Sequence, residues 1–166
     1  VPLAGAAVYV WHCDAAGGYS MYSTGIENET YLRGVQVTDA SGVVTFTSII
    51  PACYTGRWPH IHFEVYPDAA AMTDAANAIA TSQVALPGDV CSTVYALPAY
   101  SGSARNLAQV SLASDNVFGD DAGALQLATV TGDTTSGYVV SLTARVDTTT
   151  TPAAGAAPGG VSPRRP

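Results

Sequence analysis

His60 and His62 stand one residue apart in HIHFEVY (60–66), and they are two of only three histidines in the chain. In a β-strand, side chains at i and i+2 leave the same face roughly 7 Å apart along the chain, so two imidazoles can converge on one ion. Pro59 restricts the backbone just before them. These two residues alone fit a hydrogen-bonded pair as well as a metal. Neutral imidazoles suit zinc, copper, nickel or iron about equally, so the remaining ligands decide. His12, in VWHCD, reads as structural, and Glu64 shares the His60/His62 face as a carboxylate candidate. Tyr54, six residues before His60, and Tyr19, ending GGY, offer phenols. A phenol with an ordinary pKa of ~10 ionises at neutral pH only on a strong Lewis acid such as trivalent iron. Two tyrosinates with two histidines would therefore select Fe(III) over Zn(II). Either tyrosine taken singly, among nine in the chain, reads first as an amphipathic packing residue.

Those residues need elements to hold them. AAVYVWHC is β-branched and aromatic and ends at AAGG, where glycine permits a sharp turn. VVTFTSI (43–49) alternates, with Val44, Phe46 and Ser48 on one face, and it predicts a strand between the turn DASG and Pro51. HIHFEVY predicts another, with Ile61, Phe63 and Val65 toward the core. DAAAMTDAANAIATS (68–82) is alanine-rich and predicts a helix, followed by a short QVAL strand. LQLATVTG and GYVVSLTARV flank GDTTSG as an expected antiparallel hairpin. Many short strands with one short helix and long loops argue for an antiparallel β-sandwich.

The chain has 166 residues, enough for one domain with a real core. The expected division is a catalytic domain over 1–147 and a Thr/Pro/Ala/Gly-rich tail or linker over 148–166, a possible tether to a further module. A net charge of −7 and the absence of lysine argue against nucleic acid and against an anionic membrane surface. No apolar run approaches the ~20 residues of a membrane-spanning helix. Val1 does not open a signal peptide with a basic front and apolar middle. Three cysteines, Cys13, Cys53 and Cys91, fit no zinc-knuckle spacing; one disulfide, first of all Cys53 with Cys91, and an exported protein are expected, with three reduced, buried thiols and a cytosolic home as the alternatives.

Read together, WHCDAAGGYS, YLRGVQVTDASGVVTFTSIIPACYTGRWPHIHFEV and TSQVALP resemble the intradiol ring-cleavage dioxygenases, the family of catechol and protocatechuate dioxygenases. The likeness runs from about Pro2 to Pro87 and rests on the order G-Y, T-D-x-x-G and P-x-x-Y-x-G-R-x-x-H-I-H. It implies the family's β-sandwich and a non-haem Fe(III) held by Tyr19, Tyr54, His60 and His62. It implies Tyr54 as the axial tyrosinate that accepts a substrate proton, with His62 opposite it and Tyr19 and His60 equatorial. Arg57 matches the family cation that stabilises anionic charge as dioxygen attacks. Gln83 matches a glutamine lining the same pocket. The implied reaction joins a catechol-type diol to both atoms of O2, cleaving between the hydroxyl-bearing carbons to a cis,cis-muconate without external reductant. TGRWP between Tyr54 and His60 is short for the family, which implies a wider or shallower pocket, and Val1 begins almost at the first strand.

A competing reading is a non-catalytic transthyretin-like β-sandwich binding module, for which GVQVTDASGVVTFTSIIPACY would serve equally. HIH together with GGY separates the two. A cupin-like oxidase or zinc enzyme would need a third histidine or carboxylate downstream, and no histidine follows His62.

Overall fold

The computed structural model describes residues 1–150. Its main sheet has four antiparallel strands in the order β2-β1-β3-β4, namely β1 (Ala7–Trp11), β2 (Arg33–Val37), β3 (His60–Tyr66) and β4 (Ala80–Ala85). A hairpin of β5 (Thr129–Asp133) and β6 (Gly137–Ser141) follows. Two short helices, α1 (Gly88–Val94) and α2 (Ser103–Leu107), lie between them.

Register assigns the two faces of the main sheet. Val8 opposes Val65 and Val10 opposes Phe63, so these four share one face, and they pack with Ile79, Leu142 and Val146 as one apolar cluster. Trp11 opposes His62, and His62 opposes Gln83, which puts the histidines on the other face. A second cluster gathers Cys13, Ala52, Cys53, Leu86, Cys91, Val94, Tyr95 and Tyr100, with Tyr138 and Val140 of β6 against it. The site lies where the histidine face of the sheet meets this cluster.

Four expectations are corrected. Residues 43–49 keep their alternation, with Val44 and Phe46 half-buried and Val43, Thr45 and Thr47 exposed, but they join no strand ladder. Their contacts are made by side chains: Phe46 packs on Gly34, and Ser48 Oγ lies 2.6 Å from His12 Nε2. The alanine-rich stretch forms no α-helix; it makes two 3-10 turns, Ala70–Thr73 and Ala75–Asn77. Asp74 breaks them apart, adopting an extended backbone and accepting the Ala76 N–H, and β4 starts early, at Ala80, because Ala80 pairs with Val65. No Cys53–Cys91 bridge forms: all three cysteines are free and buried. Glu64 is not brought to the histidines' ring nitrogens; its carboxylate accepts the Tyr66 hydroxyl at 2.6 Å. The expected hairpin is present. The proposed tail lies outside the described residues from 151 onward.

Candidate metal centre

Four side-chain atoms meet at one point. Tyr19 Oη lies 3.3 Å from Tyr54 Oη, 3.4 Å from His60 Nε2 and 3.2 Å from His62 Nε2. His60 Nε2 lies 3.2 Å from both Tyr54 Oη and His62 Nε2. These five contacts leave out, of the six pairs, only Tyr54 with His62. The sequence predicted these four residues, and the fold brings all four together.

Each is placed by its own local structure. His60 and His62 project from one face of β3, and the His60 Nδ1–H donates to the Trp58 carbonyl, leaving the Nε2 lone pair directed at the cluster. His62 stacks on Trp11 with ring centroids 4.7 Å apart and planes 7° apart, which fixes its ring where no such hydrogen bond does. Tyr19 ends a turn closed by Asp14, whose Oδ1 accepts the Ala16 and Gly18 N–H groups. Gly17 in that turn has φ +92°, a left-handed backbone that a side chain would strain, and it lies beside Tyr54, whose Cβ a Cβ at this position would meet at 3.4 Å. Tyr54 follows an extended run whose backbone is held by side chains in place of a ladder. Tyr95 donates to the Pro51 carbonyl, Tyr100 to the Ile50 carbonyl and Asn106 to the Cys53 carbonyl, each at 2.8 Å, and Ser103 Oγ accepts the Cys53 N–H.

The electrostatics suit a cation. Burial, with His60 and Arg57 as neighbouring positive groups, lowers His62 to about 3; burial and Arg57 lower His60 to about 4. Both imidazoles are therefore neutral donors at pH 7. Burial pushes Tyr19 and Tyr54 upward, with each other's proximity adding to the rise at Tyr19, whereas Arg57 acts downward on both. With the His60 proton committed to Trp58, at most three hydrogens serve four atoms held within 3.2–3.4 Å contacts. A shared cation relieves that crowding of lone pairs. Two phenols and two imidazoles are a set for a hard, high-charge metal, and the residues fit Fe(III). Among the described residues, no group of three His, Cys, Asp or Glu converges, so any metal here depends on the tyrosines.

Arg57 and Gln83 also reach the site. Gln83 is buried at the β4 position opposite His62, and its Oε1 accepts from Arg57 Nη2 at 2.7 Å. Two residues were missed: Asp115, which pairs with Arg57 at 2.9 Å, and Phe118, fully buried with its ring 6.5 Å from that of His60. Nothing in SDNVF distinguishes Asp115 from the chain's other acidic residues except an aspartate able to cap the N–H groups that follow it. His12 is buried between the Cys13 carbonyl and Ser48, apart from the cluster.

The Dioxygenase family model matches residues 1–89. Catechol 1,2-dioxygenase 1 of Acinetobacter lwoffii is 32% identical over 88 residues, an alignment covering 42% of this chain and 28% of that protein. The chain thus spans well under half the length of this curated relative. An intradiol ring-cleavage dioxygenase from Tetranychus urticae superposes with a TM-score of 0.71 at 22% identity, covering 88% of this chain and 73% of that one, and shows a common fold. The dioxygenase domain of a dioxygenase–carbohydrate-binding fusion from Streptomyces sp. SirexAA-E has 25% identity and a TM-score of 0.52 over 83% of this chain and 65% of that one. A match over more than half the chain, on the β-sandwich these neighbours share and with the G-Y and H-I-H residues converging in space, makes this protein a member of the intradiol ring-cleavage dioxygenase family.

Proposed function

We propose that this protein uses a non-haem Fe(III) held by Tyr19, Tyr54, His60 and His62 to cleave catechol-type diols with O2 between their hydroxyl-bearing carbons. The observation that carries this reading is the meeting of two phenol oxygens and two imidazole nitrogens within 3.2–3.4 Å contacts. Bound Fe(III) would supply the Lewis acidity that ionises the phenols and draws electron density from a chelated diol, so that its ring carbon reacts with O2 directly.

The chain's own groups do the rest. His60 and His62 stay neutral and hold their donor atoms still, one through Trp58 and the other through Trp11. Tyr54 Oη is the base that takes one diol proton, and Arg57 favours the ionised phenol from which it does so. Arg57 then stabilises negative charge that develops on the ring during attack. Arg33, the other cation near this face, is engaged by Tyr9 Oη at 2.9 Å and by the Ser20 carbonyl at 2.7 Å. That leaves no free guanidinium among these two for a substrate carboxylate and favours catechol or hydroxyquinol over protocatechuate.

Iron-loaded protein incubated with catechol, protocatechuate and hydroxyquinol under oxygen, with products identified by mass spectrometry, tests the proposal. Muconate-type products carrying both oxygen atoms are expected; extradiol aldehydes, or no product from any diol, overturn it and return the β-sandwich binding module. The ferric protein should be burgundy from phenolate-to-iron charge transfer. A colourless sample with full ferric occupancy contradicts the ligand set. Export rests on the absence of lysine and on tail composition; it is tested by fractionating the producing cells.

A further inference from the structure

Asp115 has no part in the ligand set, yet it is the most heavily engaged carboxylate near the site. Its side chain is fully buried. Oδ2 accepts the Arg57 Nε–H at 2.9 Å and the Trp58 amide N–H at 2.7 Å. Oδ1 accepts the Val117 N–H at 2.8 Å, the Phe118 N–H at 3.2 Å and a longer contact from Arg57 Nη2 at 3.4 Å. Burial by itself would raise this carboxyl, but the Arg57 bond and the amides of Trp58 and Val117 outweigh it and hold the group below the ordinary carboxylate range.

The same contacts immobilise Arg57. Its guanidinium is gripped by Asp115 on one side and by the Gln83 Oε1 on the other, and its side chain is 11% exposed. Asp115 also holds the backbone of Trp58, whose carbonyl orients His60, and its own loop carries Phe118 against the His60 ring. A flexible, rotamer-rich cation is thereby set in place before any substrate arrives. Its charge is also balanced locally, which removes most of its pull on a distant substrate acid.

We propose that Asp115 is a positioning residue that presets Arg57, so that Arg57 acts on charge developing during the reaction and does not anchor the ground-state diol. This rests on the proposed dioxygenase function. Interactions made only in the transition state govern kcat and leave ground-state affinity alone. In Asp115→Asn, kcat on catechol should therefore fall roughly 10-fold or more, in line with the loss of a preorganised electrostatic group. KM and the ferric charge-transfer band should stay within about 3-fold and unshifted, respectively, because no ligand has changed. In an Arg57→Gln background, Asp115→Asn should cost little further. An undiminished kcat in Asp115→Asn, or an equal fold-loss in both backgrounds, overturns the assignment.

Should Asp115→Asn fail to fold, Asp115→Glu keeps the charge while shifting the guanidinium by a methylene. A lower kcat at unchanged KM supports the proposal there, and a wild-type kcat sinks it. A separate readout needs no turnover: the Arg57 Nε–H resonance in nitrogen-15 NMR should be protected from exchange in the wild type and lose that protection in the variant. An unprotected wild-type signal defeats the positioning role, whereas a protected signal in a protein that cleaves no diol defeats the enzymatic reading alone.

Discussion

Tyr54 and His60 sit 3.2 Å apart, yet their substitution should have different consequences. Tyr54→Phe removes a base while three protein donors remain, so iron should stay bound and turnover should drop on the order of 100-fold, the scale of a lost general base. An unchanged rate on catechol would refute the role. His60→Ala or His62→Ala should instead lower iron content, measured by atomic absorption after dialysis; full occupancy in either would contradict the ligand set. Loss of the Trp58 carbonyl contact is not available by substitution, but the Trp11 stack is. Among these residues the spacing H-x-H was readable directly, because a side chain's chemistry is local, whereas Tyr19 and Tyr54 were singled out by the resemblance to the family's motifs. Asp115 was not readable, because its role comes only from a partner 58 positions away.

At the scale of elements, the extended run before Tyr54 depends on α2. Its first residue, Ser103, accepts the Cys53 N–H, and Asn106 donates to the Cys53 carbonyl. Asn106→Ala strips a partner from a part-buried carbonyl and should destabilise the fold by about 1–2 kcal/mol, read as a lower urea midpoint. It should also weaken iron retention, since the backbone it holds carries Tyr54. No change in either measurement would show that α2 does not support the site. The two short helices were absent from the sequence expectation, and the expected helix over 68–82 was replaced by two 3-10 turns and a strand. Alanine's helix preference is worth only tenths of a kcal/mol per residue, and a cap at Asp74 with ladder pairing to β3 outweighs it.

For the whole molecule, three histidines, His12 and His60 buried and His62 half-buried, set the acid side of stability. Burial lowers His12, and it lowers His60 and His62 with help from neighbouring positive groups, all from an ordinary 6.5. Below that value the unfolded chain takes up protons that the fold refuses, so stability of the metal-free protein should fall as pH drops from 6.5 toward about 4, where His60 itself titrates. Asp115, held below 3.8 by Arg57 and amides against its burial, adds a contribution present above that value and lost as pH falls through its lowered pKa. Urea midpoints between pH 7 and 4 check the histidine contribution; a flat profile would contradict it. Burial also pushes Cys13 and Cys91 to about 12 and Cys53 to about 11. All three should react with a thiol reagent only after unfolding, and reductant should leave the melting temperature unchanged; one thiol per molecule would instead reveal a bridge.

The resemblance to the family's motifs supplied the four donor residues; residue types and short spacings, by themselves, determined the histidine-bearing strand β3 and its faces, the terminal hairpin and the β-rich class. Each of these follows from chemistry or periodicity within a few residues. The tertiary structure alone decided that 43–49 would keep its alternation without a ladder, that Ser48 would bond His12, that the cysteines would stay apart as thiols, and that Asp115 would seize Arg57. Those outcomes turn on which distant backbone or side-chain group reaches a hydrogen-bonding atom first. That competition is settled by packing, and local pattern carries no record of it.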